Sequence, residues 1–130
     1  MGKIKIIGLS FLGLILIVVS FFAIRYALNP LRHSDVRIRE NILKLTPIGS
    51  TIEDVIQVIE SNEAWEWNGR IADIGYQTHS NTTALTGAQS IRVTLGTYSN
   101  GFIVYVVSFW GFDEEGILLD VRIWKAVAGF

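Results

Sequence analysis

The sequence of 130 residues contains no cysteine and only two histidines. Without cysteine the chain has no disulfide framework, no thiolate metal site and no thiol for lipid modification. His33 and His79 have no second histidine or carboxylate at metal-ligand spacing, and the H-E-x-x-H, G-x-S-x-G, P-loop and G-x-G-x-x-G motifs are missing. We therefore expect no catalytic residues, no metal, no cofactor and no enzymatic activity.

Basic residues are scarce in the second part of the chain. Residues 1–50 carry seven Lys or Arg against two acidic residues, whereas residues 51–130 carry four basic and ten acidic residues. A nucleic-acid-binding domain needs a clustered basic face, so the acidic segment argues against a nucleic-acid partner. The length allows at most one domain of ordinary size.

Hydrophobic residues are concentrated in one uninterrupted run. The 19 residues from Ile6 to Ile24 carry no charge, and Lys5 and Arg25 flank them. As a helix this run would be roughly 28 Å long, about the thickness of the hydrocarbon core of a bilayer. We expect residues 1–30 to form an N-terminal membrane anchor helix that contacts the lipid bilayer, and residues 31–130 to form a small folded domain.

A cleaved signal peptide is the alternative interpretation of this run. The run exceeds the usual signal core of about 7 to 15 residues, and no small-x-small cleavage site follows it, so an uncleaved anchor is favoured. The positive-inside rule compares Lys3 and Lys5 before the run with the four arginines from Arg25 to Arg39 after it. This count favours a cytoplasmic domain, whereas a short basic N-terminus usually stays inside, so the charges leave the side of the membrane open.

Two helices are predicted at the start of the domain. The first covers Ser34 to Leu45, where apolar residues recur at helical spacing. The second starts with Ser50 followed three residues later by Glu53, which is the pattern of a capping box. Its apolar positions form one stripe: Ile52, Val55, Ile56 and Ile59.

Two turn signals predict an antiparallel β-meander after the helices. A two-residue loop at Asn100-Gly101 pairs the first two strands as Leu95 with Val106, Val93 with Ser108 and Ile91 with Trp110. A four-residue turn from Asp113 to Gly116 pairs the next two as Trp110 with Leu119, Ser108 with Val121 and Val106 with Ile123. The sequence therefore predicts an α+β fold in which a transmembrane helix is followed by two short helices packed on a three- to four-stranded antiparallel meander, with one apolar face.

The opposite face of this meander is the candidate partner-binding surface. It is predicted to carry Ile103, Tyr105, Val107 and Phe109 in the middle strand, flanked by Arg92, Thr94 and Tyr98 and by Asp120, Arg122 and Trp124. Aromatic residues with arginines are the composition that binding hot spots favour. We take Arg92, Tyr105, Phe109, Arg122 and Trp124 as candidates for binding a protein partner. The alternative is that the N-terminal segment, the Trp65 to Thr78 region or a second copy covers this face.

A second candidate site lies at Trp65 and Trp67. In an extended segment these two rings would lie on one side, as in binders of carbohydrates or peptides, and would then bind a small molecule or a cell-wall fragment. Rings at such a position can equally close the end of a hydrophobic core.

Two segments carry a resemblance to known proteins. The run Gly49-Ser50-Thr51-Ile52-Glu53-Asp54-Val55 resembles the G-x-T-x-x-x-V opening of the SmpA/OmlA (BamE-like) domain family. The stretch from Trp110 to Gly116, continuing through Leu119-Asp120-Val121 to Trp124-Lys125, is similar to the ending of small uncharacterised bacterial membrane-anchored proteins.

The BamE-like resemblance implies two helices on a three-stranded antiparallel sheet and a non-enzymatic role in protein assemblies of the cell envelope. The chain departs from the assembly lipoproteins because it lacks a lipid-acceptor cysteine and has an apolar run instead. We therefore expect a single-pass protein of the inner membrane. The resemblance favours an extracytoplasmic domain, against the charge count.

Overall fold

The computed structural model describes residues 12–20 and 29–128 of the chain, which divides into two compact units, Met1–Arg32 and His33–Phe130. In the first unit residues 12–20 are helical and Pro30–Arg32 form a 3-10 helix. Much of the expected spanning run, residues 6–11 and 21–24, lies outside the described residues. Within the described residues no helix combines the length and the apolar character needed to cross a membrane.

The second unit is an α+β fold. Its helices are α1 (Asp35–Leu45) and α2 (Ile52–Ser61), and its strands are β1 (Tyr76–Gln77), β2 (Leu85–Thr86), β3 (Gln89–Ser99), β4 (Ile103–Phe112) and β5 (Leu118–Val127). Strands β1 and β2 form a small antiparallel sheet, and β3, β4 and β5 form a three-stranded antiparallel meander in that order. The predicted α+β class and three-stranded meander are confirmed.

Helix α1 is tied to the core at its C-terminal end. Ser34 caps its start by accepting a hydrogen bond from Arg37 N (3.3 Å), and Ile38 and Ile42 are its buried residues. The buried Thr46 follows the helix; its hydroxyl donates to the Ile42 carbonyl (2.9 Å) and accepts from Trp110 Nε1 (3.0 Å). One threonine thus ends the helix and satisfies the indole of β4.

Helix α2 begins one residue later than predicted. The capping box is formed by Thr51 and Asp54, whose side chains accept hydrogen bonds from each other's backbone N–H (3.2 and 3.3 Å). The prediction of Ser50 and Glu53 was therefore wrong. The reason is that Ser50 is held in the preceding turn, where its hydroxyl donates to the Pro47 carbonyl (2.6 Å) and its carbonyl accepts from Leu118 N (2.8 Å).

The pairing of β3 with β4 deviates from the predicted register at two places, and the two deviations cancel from Thr94 to Gln89. The hairpin loop has three residues, because Ser99 pairs with Ile103, and Leu95 is an extra residue in a β-bulge. The predicted pairs of Ile91 with Trp110 and Val93 with Ser108 are therefore correct, but Gly96 and not Leu95 pairs with Val106. Beyond the bulge Tyr98 pairs with the buried Val104, so the prediction that Tyr98 lies on the opposite face was wrong.

The register between β4 and β5 differs by two residues from the predicted one. Trp110 pairs with Val121, Ser108 with Ile123 and Val106 with Lys125. Two features shift the pairing: Ile117 forms a bridge with Thr51, and Leu119 is an extra residue between Leu118 and Asp120. The second set of predicted pairs was therefore wrong. Leu119, expected in the core, is 45% exposed, and Leu118 is buried instead. As expected, the turn uses the positive φ of Gly116 (80°).

The core lies on one face of the meander, together with the two helices. Its largest fully buried side chains are Trp110, Phe112, Ile91 and Leu118 from the strands, with Val55 from α2. Trp65 packs against this face, with its ring centroid 6.0 Å from that of Trp110. The other face, here called the outer face, carries the alternate residues of the strands and is the one that concerns function.

Candidate functional site

The outer face is organised around Phe109 of the central strand. Phe109 pairs with Arg92 on β3 and with Arg122 on β5, so the three residues form one row across the sheet. The Arg92 guanidinium lies over the Phe109 ring, 5.9 Å from its centroid, which is within the range of a cation–π contact. Strands in a sheet are about 4.8 Å apart, so the two arginines start from backbone positions roughly 10 Å apart.

Residues 70–80, which include β1 and are here called the covering segment, fold over part of this face. The Tyr76 ring lies 5.8 Å from that of Phe109, and Ser90 donates a hydrogen bond to the Ile74 carbonyl (2.7 Å). At Gly111 an added Cβ would lie 2.7 Å from Tyr76 Cε1, so only glycine permits this approach. Part of the Trp65 to Thr78 region thus covers one end of the outer face, which was the alternative that the sequence left open.

Arg122 fastens this covering segment. Its guanidinium donates to the Gln77 carbonyl (2.7 Å) and to the Ser80 hydroxyl (2.8 Å). An arginine has five N–H donors in a fixed fork, so three donors of Arg122 remain beyond these two hydrogen bonds. The residue therefore positions the segment and still offers donors to a ligand.

Between the segment and the sheet lies an open cavity of about 780 Å³, here called the arginine cavity. Its lining combines three arginines, aromatic rings and small or polar residues: Asn68, Arg70, Ile71, Ala72, Gly75, Tyr76, Gln77, Ser80, Ser90, Arg92, Phe109, Arg122 and Trp124. Its volume lies in the range of about 300 to 1,000 Å³ that is typical of ligand sites.

The charge of this cavity has one sign. Residues 51–130 contain three arginines, Arg70, Arg92 and Arg122, and all three line the cavity. None of the lining residues is acidic, although the same segment carries ten carboxylates. Within residues 29–128 the ion pairs are Arg39–Asp120 and Lys125–Asp35, so none of the three cavity arginines is paired with a carboxylate there.

Asp120 is the acidic residue on β5 next to the row formed by Arg92, Phe109 and Arg122. It pairs with Gly111, two positions along from the pair of Phe109 and Arg122. Its carboxylate forms an ion pair with Arg39 of α1, whose Nε also donates to the Val121 carbonyl (3.0 Å). Arg39 thereby engages the carboxylate that stands nearest to Arg122 along the strand.

Burial affects the ionisation of the tyrosine between these groups. Tyr76 is 6% exposed. Burial first, and the negative charge of Asp120 second, raise the pKa of Tyr76 to about 12. The phenol is therefore neutral at physiological pH and contributes an apolar wall with a hydroxyl donor.

The structure brings four of the five predicted partner-binding residues together. Arg92, Phe109, Arg122 and Trp124 all line the arginine cavity. Tyr105 lies outside the lining but on the same outer face, two positions beyond Val107 along β4, and is 41% exposed. Trp124 is 39% exposed at the cavity edge.

The two residues of the second candidate site lie elsewhere. Trp65 contacts Trp110 of the core, and Trp67 Nε1 donates to the Arg70 carbonyl (3.1 Å). Both side chains are half-buried, and neither lines the arginine cavity.

Sequence reasoning missed Arg70, Ile71 and Tyr76 as lining residues. They belong to the segment that folds over the sheet, and no local pattern links that segment to β3, β4 or β5. One signal was present in the composition, since Arg70 is one of only three arginines after residue 50.

The two histidines do not meet. His33 lies before α1, and its carbonyl accepts a hydrogen bond from Lys125 Nζ (2.6 Å). His79 lines a smaller cavity of about 260 Å³ together with Asp35 and Asp120. Among the described residues no group of three or more histidine or acidic side chains is placed to hold a metal ion.

A scan against protein-family models finds no match for this chain, and searches of curated proteins and of solved structures find no significant similarity.

Proposed function

We propose that this chain is a single-pass inner-membrane protein whose α+β domain binds a segment of a partner protein on the outer face of its sheet. The observation that carries the proposal is the convergence of Arg92, Arg122, Phe109 and Trp124 on one open cavity. Arginine and aromatic side chains dominate the energy of protein interfaces. On this proposal the domain is a binding module and not an enzyme.

The length of the outer face supports a protein partner. Beyond the cavity and the buried Val107, the outer-face residues Tyr105 and Ile103 of β4 are 41% and 54% exposed. From Phe109 to Ile103 the strand runs six residues, or about 20 Å. An extended partner segment of about six residues is long enough to reach from the cavity to Tyr105 and Ile103.

The membrane part of the proposal comes from the apolar run at Ile6 to Ile24. The resemblance to BamE-like domains suggests that the domain lies outside the cytoplasm and acts in protein assemblies of the envelope. Topology mapping tests this: alkaline phosphatase and a green fluorescent protein are each fused after Phe130. An active phosphatase with a dark fluorescent fusion is expected, and the reverse pattern would place the domain in the cytoplasm.

Site-specific photocrosslinking in cells tests the binding surface. A photoreactive phenylalanine analogue replaces Tyr105 or Trp124 in the full chain, and Val36 and Leu119 serve as exposed apolar control positions. We expect one discrete crosslinked protein from Tyr105 and Trp124 and none from the controls. No crosslink at the two outer-face positions, or equal crosslinks at all four, would contradict the proposal.

A small-molecule or cell-wall-fragment binder is the second candidate, because the volume of the arginine cavity suits such a ligand. The site for it is then the cavity with Trp124 and not the pair of Trp65 and Trp67. Tryptophan fluorescence titrated with glycan fragments distinguishes the two: a saturable change that Trp124→Phe removes is expected only for the small-molecule binder.

A further inference from the structure

The arginine cavity contains positive charge that no carboxylate of residues 29–128 compensates. Arg92 and Arg122 flank Phe109 in one row, and Arg70 reaches the cavity from the covering segment. Neither Arg70 nor Arg92 donates a side-chain hydrogen bond within residues 29–128. Their charges are therefore available to a bound anion. No acidic residue lines this cavity, although residues 51–130 carry ten of them.

The rest of the lining is apolar or aromatic. Phe109, Tyr76 and Trp124 supply rings, and Ile71 supplies an aliphatic side chain. A small inorganic anion would leave these surfaces exposed to water. A ligand that joins a carboxylate to an apolar or aromatic group would use both parts of the lining, because apolar burial adds to the charge-assisted hydrogen bonds.

We infer that the arginine cavity is a receptor for an acidic side chain or terminal carboxylate on an extended apolar segment of the partner protein. This inference rests on the proposed function and assigns the partner's chemistry. The carboxylate lies between Arg92 and Arg122, and apolar side chains of the same segment contact Phe109 and Trp124 in the cavity and reach Tyr105 and Ile103. Tyr105 and Ile103 are exposed farther along β4, beyond the buried Val107, and Ile103 lies about 20 Å from Phe109. That distance is within reach of a segment of about six residues but not of a compact organic acid.

Arg92 and Arg122 have different roles in this site. Arg122 also fastens the covering segment through Gln77 and Ser80, so its loss affects the shape of the cavity. Arg92 contacts Phe109 without such hydrogen bonds, so Arg92→Gln removes charge with little effect on the fold. Arg92 is therefore the residue on which a test should depend.

Selection from a random hexapeptide library tests the inference, with the full chain in detergent micelles as the bait. We expect selected peptides to be enriched in Asp or Glu next to apolar residues. For the best peptide, replacement of its Glu by Gln and the Arg92→Gln variant should each weaken binding about tenfold, the loss expected for a hydrogen bond to a charged group. Arg92→Lys should retain more of the affinity than Arg92→Gln. Fluorescence anisotropy measures the affinities.

Arg37→Gln is the matched control, since Arg37 is an exposed arginine on α1 and its replacement changes the net charge equally. An equal loss with Arg37→Gln would overturn the inference, because it would indicate general electrostatic attraction. Selection without acidic enrichment, or without any bound peptide, would overturn it as well. Tight binding of benzoate or phosphate that leaves the peptide bound would also overturn it, because the anion and the peptide would then occupy different sites. Binding only to vesicles that contain phosphatidylglycerol would overturn it too.

The same experiments separate this inference from the proposed function. A protein crosslinked at Tyr105 and Trp124 whose capture is unchanged by Arg92→Gln, Arg122→Gln and Arg70→Gln would leave the protein-binding face in place and remove the carboxylate receptor. An absence of crosslinks would remove both. Circular dichroism of each variant shows that the fold is retained.

Discussion

Arg92 and Arg122 lie on opposite sides of Phe109 in a single cross-strand row of the sheet. Two arginines thus pair with one phenylalanine from its two sides, and no carboxylate of residues 29–128 forms an ion pair with either of them. Like charges on one face repel, so such a row is expected where an anion from outside the chain completes it.

The first prediction concerns the ion pair of Arg39 with Asp120. In Arg39→Gln the Asp120 carboxylate loses its partner and can neutralise Arg122, which is two residues away on β5. The affinity for an acidic peptide should fall about two- to fivefold, as expected for one solvent-screened charge. Adding Asp120→Asn should restore the affinity, and fluorescence anisotropy on the single and double variants measures it. A double variant as weak as Arg39→Gln would show that Arg39 acts through the fold and not through the charge of Asp120.

The second prediction is a loss of stability at high pH through Tyr76, whose pKa burial raises to about 12. An unfolded tyrosine loses its proton near pH 10, whereas the folded Tyr76 keeps its proton up to about pH 12. The unfolded state therefore binds fewer protons in this window, and the free energy of unfolding falls as the pH rises from about 10 to 12. Below about pH 10 both states keep this proton, so the full contribution of Tyr76 to the free energy of unfolding is present.

Urea denaturation between about pH 9 and 12 measures this effect. We expect a decrease of about 1 to 2 kcal/mol that is smaller in Tyr76→Phe, because phenylalanine has no proton to lose. Tyr105→Phe, at an exposed tyrosine, is the control and should leave the decrease unchanged. Equal decreases in the parent chain and in Tyr76→Phe would contradict the prediction.

The third prediction concerns the close approach at Gly111. An alanine there would place its Cβ 2.7 Å from Tyr76 Cε1 and 3.0 Å from the Thr86 carbonyl oxygen, so β1 and β2 must move away from the sheet. Gly111→Ala should lower the free energy of unfolding by about 1 to 3 kcal/mol. In hydrogen exchange the amide of Tyr76 should lose protection while those of Val93 and Val106 keep theirs. Unchanged protection throughout would show that the small sheet adapts without moving.

The fourth prediction concerns the buried hydrogen bond between Trp110 Nε1 and Thr46 Oγ1. Thr46→Val keeps the shape of the side chain but leaves the indole N–H without an acceptor in the core. A buried polar group without a partner costs about 1 to 3 kcal/mol, and urea denaturation should show a loss of that size. Thr97→Val replaces an exposed threonine of β3 and should change stability by no more than about 0.5 kcal/mol. Equal effects of the two variants would argue against the hydrogen bond.

Local signals in the sequence predicted the elements of the domain well. Ser34 marks the start of α1, the apolar stripe of α2 buries Val55 and Ile59, and Gly116 adopts the positive φ that its turn requires. These features depend on a few neighbouring residues, so the sequence expresses them directly. The cap of α2 was misplaced by one residue because the contact of Ser50 with Leu118 is not local.

The alternation of apolar residues determined which face of the meander most strand residues occupy, but not how the strands align. Side chains repeat with a period of two along a strand, so a shift of two residues leaves each residue on the same face. The predicted register placed Asp120 opposite Phe109, and the observed register places Arg122 there. The alternation of apolar residues does not predict the bulge at Leu95 either, although this bulge moves Tyr98 to the core face.

By itself, then, the sequence determined the α+β class of the domain, its helices, its three strands and an aromatic outer face with arginines, because each follows from local spacing. Only the tertiary structure decided that Arg122 completes the row with Arg92 and Phe109, and that the segment around Tyr76 and Arg70 folds over it. Both depend on contacts between residues far apart in the chain, such as the bridge of Ile117 with Thr51 and the hydrogen bond from Arg122 to Gln77. Because of those contacts, the outer face with its arginines forms one wall of a cavity and the covering segment forms another.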